Sequence, residues 1–116
     1  MIAVREIADA GLFIIEPGPR LTLENAQELL RIVRGTATAI APSVIINMAK
    51  TSTLDSSGVG MLVNSFKHVQ RLKGNFALVE LQPEVLRMLQ LMNLHQLFDI
   101  YETEGLARKQ FTASRR

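Results

Sequence analysis

A buried-strand pattern and a helix pattern, joined by a turn rich in serine and glycine, constrain the fold of this chain more than any other feature. The apolar run Val44-Ile45-Ile46-Asn47-Met48 is typical of a strand covered on both faces. The turn Asp55-Ser56-Ser57-Gly58-Val59-Gly60 follows it, and a long amphipathic stretch begins near Met61. This order predicts a strand-to-helix connection of an α/β protein.

The same alternation continues through the rest of the chain. Apolar periodicity predicts strands at 2–7, 12–15, 44–48, 76–79 and 98–101, and helices at 22–34, 61–73, 83–92 and 105–111. Thr22 is the expected cap and Gly35 the expected stop of the first helix, while Pro83 suits a first turn and Asn93 a left-handed stop. The prediction is a mostly parallel sheet of about five strands packed against about four helices. Its expected core includes Phe66, Val69, Leu78, Leu86 and Leu89.

Length and composition limit the classes of protein that remain. The 116 residues, 47% of them apolar, suit one packed domain at 1–111, followed by a basic tail at 112–116 that we expect to fray. No apolar run reaches the about 18 residues that cross a bilayer, and no signal peptide pattern is present, which predicts a cytoplasmic protein without membrane insertion. With no cysteine and two isolated histidines, we expect neither a metal nor another cofactor.

The charge pattern gives little support to nucleic-acid binding. The formal net charge is +2, and acidic residues outnumber basic ones once Arg108, Lys109, Arg115 and Arg116 are set aside. No basic stripe with interleaved aromatic residues remains. Nucleic acid is therefore not an expected partner.

The turn at 55–60 is the candidate functional site. A serine at a helix start is a ready phosphate acceptor, because the added dianion lies against the positive end of the helix dipole. Helix starts favour serine and aspartate in any case, so a purely structural turn is the competing interpretation. The Gly-Lys-Ser/Thr ending of a nucleotide-binding loop is missing, and Ser57-Gly58-Val59-Gly60 lacks the order of a hydrolase elbow. Neither His68 nor His95 has a neighbour that suggests a catalytic triad, so we do not expect an enzyme.

Several segments, taken in order, resemble the STAS family of bacterial domains, named for sulfate transporters and anti-sigma factor antagonists. They are Val44 to Met48, Asp55 to Gly60, Lys73-Gly74, Pro83-Glu84-Val85 and Leu94-His95-Gln96-Leu97-Phe98. The resemblance covers nearly the whole chain and implies a largely parallel sheet with helices on one side. It also implies partner switching, in which the unphosphorylated antagonist captures an anti-sigma serine kinase and frees a sigma factor. A serine phosphatase would act on the phosphorylated form.

The resemblance also assigns roles within the turn. The family's phosphorylated serine falls on Ser56, with Asp55 fixing the turn and Ser57 helping to cap the helix. Gly58 and Gly60 would let a kinase approach the backbone closely, and Val59 completes the expected partner-binding turn. One departure stands out: Thr22, in Gly18-Pro19-Arg20-Leu21-Thr22, takes a position where many antagonists carry an acidic residue for a partner contact.

Three interpretations follow from these residues. The first is a phosphorylatable antagonist of an anti-sigma serine kinase. The second is a STAS scaffold or transporter-associated subunit in which the same surface makes permanent contacts, an alternative that Thr22 keeps open. The third is a nucleotide-binding or hydrolytic protein, against which the missing base, metal ligands and phosphate-gripping lysine count.

Overall fold

The computed structural model describes residues 2–114, which form both strands and helices. The strands are β1 (Ala3–Ile7), β2 (Leu12–Glu16), β3 (Arg20–Leu21), β4 (Ser43–Asn47), β5 (Thr53–Leu54), β6 (Asn75–Val79) and β7 (Asp99–Tyr101). The helices are α1 (Ala26–Thr36), α2 (Ser56–Arg71), α3 (Pro83–Leu91) and α4 (Glu104–Ser114), with a short 3-10 turn at Ala8–Ala10.

The main sheet has five strands in the order β1-β2-β4-β6-β7. The β1–β2 pair is antiparallel, and every other neighbouring pair in this sheet is parallel. A separate pair, β3 and β5, forms a parallel two-stranded ribbon. The predicted mostly parallel sheet and its four helices are confirmed, whereas the ribbon was not anticipated.

Both faces of the main sheet are covered. The larger core packs β4 and β6 side chains such as Ile46 and Leu78 against α1, α2 and α3. On the other face, Ala107 and Phe111 of α4 pack against Leu12, Ile14, Ile45, Ala77 and Val79. The expectation of helices on one side is therefore wrong for α4. Because β4 and β6 are apolar on both faces, the second face also needs cover.

The expected core is confirmed at three of its five positions. Val69, Leu78 and Leu89 are fully buried. Phe66 is half-buried and packs edge-on against Phe76 and Phe98, with ring centroids 5.9 Å away in each case. The fifth position, Leu86, is wrong as a core residue, because it is half-buried and lines a shallow hollow with Leu81 and Ile100. The short α3 buries only the stripe of Val85 and Leu89.

Helix ends agree with the prediction for α3 and differ for α1. Pro83 begins α3, and Asn93 adopts a φ of 57° beyond its end, as predicted. By contrast, α1 starts at Ala26 and continues through Gly35 to Thr36, so Thr22 is not its cap and Gly35 not its stop. After α2, Lys73 takes the left-handed conformation.

The chain's second half ends in a longer helix than expected. Helix α4 continues to Ser114, into the 112–116 segment that the sequence assigns to a tail, and Arg115 and Arg116 lie outside the described residues. Within residues 2–114, no helix is both long and apolar enough to cross a membrane.

Candidate functional site

The ribbon of β3 and β5 carries the chain from the central strand β4 to the start of α2. Backbone N–H groups of Ser52 and Thr53 donate to the carbonyl of Pro19, and the Thr51 hydroxyl donates to the carbonyl of Gly18 at 2.6 Å. Leu21 and Leu54 are paired in register and both are buried. These contacts place Asp55, directly after β5, beside the segment that follows β3.

Asp55 is the residue that caps α2. Its backbone is extended, with φ −111° and ψ −178°, and its Oδ1 accepts a hydrogen bond from the Gly58 N–H at 2.9 Å. This is the geometry of an N-cap aspartate bonding to the third helical residue. The expectation that Ser57 helps to cap the helix is therefore wrong, because Ser57 lies inside the first turn, where the N-cap geometry is not available.

The second carboxylate oxygen of Asp55 reaches a different segment. Oδ2 accepts a hydrogen bond from the backbone N–H of Leu23 at 3.0 Å, across 32 positions of sequence. Hydrogen bonds from the backbone N–H groups of Gly58 and then Leu23 lower the pKa of Asp55 below its usual 3.8. The carboxylate is thus ionised at neutral pH and joins the start of α2 to the turn before α1.

Ser56 is the first residue of α2 and is exposed. Because Asp55 supplies the cap, the Ser56 hydroxyl is not needed to hold the helix start. A group attached to its Oγ would lie in solvent, close to the unpaired N–H groups of the first helical turn. The position predicted as the phosphoacceptor is therefore accessible in this structure.

The rest of the predicted turn divides into buried and exposed residues. Gly58 is buried, and a β-carbon added there would lie 2.1 Å from the carbonyl oxygen of Leu21. Val59 is also buried, in the larger core. Gly60 is half-buried, and an added β-carbon would meet nothing within 4 Å. Gly58 and Val59 thus lie beneath the surface of the site, while Ser56, Ser57 and Gly60 are at least partly exposed on it.

Thr22 lies next to the site as part of the turn that leads into α1. Its N–H donates to Oδ1 of Asn25 at 2.9 Å, and its carbonyl accepts from the N–H groups of Asn25 and Ala26. Asn25 Nδ2 also donates to the carbonyl of Arg20 at 2.7 Å. The structure therefore places the turn that contains Thr22 next to the 55–60 turn.

Leu23 is the residue of this site that sequence reasoning missed. Its helical spacing with Ala26 and Leu30 predicts a buried position on α1, yet its side chain is 75% exposed. The sequence Asn25-Ala26-Gln27-Glu28 carries the signal that could have shown the error, since an asparagine three residues before a glutamate favours a helix start. Such a start leaves Leu23 outside the helix.

A second polar cluster lies at the same edge of the sheet. Nδ2 of Asn47, the last residue of β4, donates to Oε2 of Glu104 at 2.6 Å and to Oε2 of Glu80 at 3.2 Å. Arg5 of β1 binds the same Glu104 oxygen at 2.6 Å. We call Arg5, Asn47, Glu80 and Glu104 the Asn47 network. Across the part of the chain that the structure describes, no three histidine, cysteine, aspartate or glutamate residues form a group that could hold a metal ion.

The fold and the site define a class of α/β domain: a mostly parallel five-stranded sheet with an exposed serine at the capped start of the helix after its central strand. The family model described as "STAS domain" matches residues 2–107. The chain belongs to the STAS domain family.

Curated relatives carry names from the same field. A Thermotoga neapolitana protein, classed as a candidate anti-sigma factor antagonist, is 30% identical over 91 residues, which are 78% of this chain and 80% of that protein. The anti-sigma F factor antagonist of Paenibacillus polymyxa is 26% identical over 61 residues, which are 53% of this chain and 52% of that protein.

Solved structures share the whole fold. The crystal structure of a candidate anti-sigma factor antagonist from Thermotoga maritima matches with a TM-score of 0.84 at 26% identity, covering 100% of this chain and 96% of that one. The anti-sigma factor antagonist SpoIIAA in its unphosphorylated form matches with a TM-score of 0.79, covering 97% of each chain. SpoIIAA of Bacillus in its phosphorylated form gives 0.70, covering 95% of this chain and 98% of that one. Both SpoIIAA matches are at 17% identity, so they speak for the fold alone.

Proposed function

We propose that this protein is an anti-sigma factor antagonist that binds an anti-sigma serine kinase through the surface around Ser56, and that phosphorylation of Ser56 ends the binding. The observation that carries the proposal is that two neighbouring residues have different roles at the start of α2. Asp55 caps the helix, while the neighbouring Ser56 is exposed and free to be modified. The family and the names of the curated relatives support the same role.

The covalent step is simple for the antagonist. The kinase transfers the γ-phosphoryl group of ATP to Ser56 Oγ, the bond to ADP breaks as the new O–P bond forms, and the hydroxyl proton is released. A serine phosphatase would reverse the modification by hydrolysis, returning the hydroxyl and inorganic phosphate. The antagonist itself acts as substrate and binding partner, not as an enzyme, and we place the cycle in the cytoplasm.

Charge explains how one phosphate can control binding. The modification adds a charge of about −1.5 to −2 at neutral pH, beside the ionised carboxylate of Asp55. Placing that charge against an apolar or acidic surface is unfavourable unless arginines receive it. A mismatch of about 1.4 kcal/mol weakens binding tenfold. The switch therefore needs no large change in the fold.

The fold should survive the modification. The helix dipole stabilises an exposed negative charge at a helix start by about 0.3–1 kcal/mol, which offsets part of the repulsion from Asp55. Because the Ser56 hydroxyl is not the cap, esterifying it leaves the Asp55–Gly58 hydrogen bond in place. Phosphorylation should thus change the interface more than the stability.

A scaffold role is the second candidate, and the observation in its favour is Thr22. The backbone groups of Thr22 are used within its turn, and its neutral side chain replaces the acidic residue of many antagonists. In that role the surface around Ser56 would hold a permanent partner and would not be modified. Phosphorylation separates the two functions.

The test is a phosphorylation assay with purified protein. Wild-type chain, Ser56→Ala and the matched control Ser57→Ala are incubated with ATP and a serine kinase that binds the wild type, and the products are mapped by mass spectrometry. We expect one phosphate on Ser56 in the wild type and in Ser57→Ala, and none in Ser56→Ala. Phosphate on Ser57 would refute the assignment, and binding without any incorporation would favour the scaffold.

A further inference from the structure

Leu23 is held in an unusual position for an apolar side chain. It lies in the turn between β3 and α1, with 75% of its surface exposed. The turn is fixed on both sides, because Asn25 bonds to the Thr22 N–H and the Arg20 carbonyl, and Asp55 bonds to the Leu23 N–H. The backbone of this exposed leucine is thus restrained before any partner arrives.

Other exposed apolar residues of the described chain lie elsewhere. Ile40 precedes β4, and Leu91, Met92 and Leu97 precede β7, so these four lie toward the amino ends of parallel strands, while Val4 belongs to the edge strand β1. Ser56 and Leu23 lie toward the carboxyl end of β4, at the opposite edge of the sheet. Leu106 belongs to α4, which covers the other face. Leu23 is therefore the exposed leucine that the fold joins to the phosphoacceptor.

We infer that Leu23 is the apolar anchor of the Ser56 surface, that an apolar pocket of the serine kinase receives it, and that Asp55 transmits the phosphorylation state of Ser56 to it. The inference rests on the proposed function. To that function the inference adds Leu23 as a specificity residue and an apolar pocket as the partner surface that faces it. It also adds a connection, through Asp55, between phosphorylation of Ser56 and the position of Leu23.

Preorganisation of its turn favours Leu23 as an anchor. Binding is weakened by the cost of ordering side chains and loops at the interface, and a segment that is already fixed avoids much of that cost. A leucine on a hydrogen-bonded turn offers apolar area with little backbone freedom to lose. Its neighbours Thr22 and Ser56 are neutral, whereas Glu24 and Asp55 are acidic, so the partner must surround its apolar pocket with basic or hydrated groups.

Electrostatic repulsion at the start of α2 would supply the link. A phosphate on Ser56 would lie beside the ionised carboxylate of Asp55 and repel it. This repulsion weakens the hydrogen bond between the Leu23 N–H and Asp55 Oδ2, the oxygen that does not cap the helix. Phosphorylation would then act twice, by adding charge to the interface and by loosening the turn that presents Leu23.

The first test measures binding of the purified full chain to a purified anti-sigma serine kinase by calorimetric titration. Leu23→Ala should weaken binding tenfold or more, equivalent to about 1.4 kcal/mol. The matched control Leu91→Ala removes a leucine that is 80% exposed at the opposite edge and should change affinity less than twofold. Both variants should keep the wild-type melting temperature.

The outcomes separate the anchor from the proposed function. If the wild type binds and Leu23→Ala binds equally well, the anchor is overturned while the antagonist role stands. If the wild type binds no kinase of this class, the proposed function and the anchor both fail. Equal losses for Leu23→Ala and Leu91→Ala would also overturn the anchor, because the effect would not be local.

The second test needs no partner. Amide hydrogen exchange by NMR follows the Leu23 N–H in the wild type, in the chain carrying phosphoserine at position 56, and in Asp55→Asn. We expect exchange to become at least threefold faster in the phosphorylated chain and in Asp55→Asn, with Leu91 unchanged. Unaltered exchange at Leu23 after phosphorylation would overturn the link through Asp55.

Discussion

Two polar regions at the same edge of the sheet differ in burial and in hydrogen-bonding role. Asp55 is a charged acceptor on the surface, and its partners are two backbone N–H groups. Asn47 is neutral and 8% exposed; its Nδ2 donates to the carboxylates of Glu80 and Glu104, and its Oδ1 accepts from the Ala49 N–H. Asp55 holds an exposed turn in place, whereas the Asn47 network joins β4, β6 and α4 within the fold.

The difference shows how the chain separates stability from binding. Losing a buried donor leaves its carboxylate acceptors short of a hydrogen bond, which is costly. Losing an exposed acceptor frees groups that water can satisfy. The backbone agrees with this division, because Glu80 takes the left-handed conformation, with a φ of 57°, at the end of β6 and reaches Asn47. Such a conformation persists in a residue other than glycine only where its surroundings hold it.

Removing the buried amide should have the largest effect on stability. Asn47→Ala should lower the free energy of unfolding by about 2–3 kcal/mol, because hydrogen bonds to charged groups contribute about 1.5–3 kcal/mol each. The matched control is Gln82→Ala, which removes an exposed amide that donates to the Ala49 carbonyl. Urea unfolding of both variants measures the difference. Equal losses would contradict the proposed role of the Asn47 network.

A pair of glycines inside α2 gives the next largest effect. Gly58→Ala should cost about 1–3 kcal/mol, because the new methyl group collides with the Leu21 backbone and overpacking is destabilising. Gly60→Ala meets open space and should leave the unfolding free energy unchanged or raise it by up to about 1 kcal/mol.

The same pair also distinguishes packing from recognition. If a partner approaches the helix backbone at Gly60, Gly60→Ala should weaken kinase binding while the protein becomes no less stable. Gly58→Ala should lose stability first. Thermal unfolding and binding measured on both variants give the result, and a Gly60→Ala protein that binds like the wild type would remove Gly60 from the binding surface.

Local patterns predicted the elements that local chemistry determines. The apolar run at 44–48, Pro83 and Asn93 each encode an element or its end, and the structure has them there. Asn25 marks the end of the 22–25 turn locally, but the conformation of the turn also depends on the Leu23 N–H, which donates to Asp55 far along the chain. Helical spacing alone would place Leu23 on α1, but the long-range hydrogen bond to Asp55 holds it in the turn before the helix.

Two further features depend on tertiary context. The ribbon of β3 and β5 is two residues long on each side, too short to leave a periodic pattern. The role of Asp55 as cap, in place of Ser57, depends on the extended backbone that this ribbon imposes. The position of Ser56 at the start of a helix was predictable from sequence, while the fact that Asp55 caps this helix in its place was visible only in three dimensions.

Lowering the pH should remove the contribution of Asp55 to the stability of the fold. Its folded pKa lies below the usual value of 3.8, so the ionised form stabilises the fold fully above that value and less as pH falls through the folded pKa. Asp55→Asn keeps one acceptor oxygen for Gly58 but turns an amide toward the Leu23 N–H. The melting temperatures of the wild type and Asp55→Asn should therefore differ above pH 5, and the difference should shrink progressively as the pH falls below about 4. A gap that stays constant across this range would contradict the lowered pKa.

Changes at Ser56 should have the smallest effect on stability and a large effect on binding. Ser56→Ala removes an exposed hydroxyl that is not the cap, so the unfolding free energy should change by less than about 0.5 kcal/mol. Ser56→Asp places a carboxylate at a helix start, where the dipole offsets repulsion from Asp55, and stability should change by no more than about 1 kcal/mol. Alanine should keep kinase binding, because it adds no charge to the interface, whereas aspartate should weaken it tenfold or more, about 1.4 kcal/mol. Calorimetric titration of both variants measures binding, and their melting curves measure stability. Together they test whether Ser56, unlike Asn47, affects binding more than stability. Equal affinities would rule out an electrostatic switch, and a large drop in melting temperature for Ser56→Asp would mean that this region, like the Asn47 network, supports the framework.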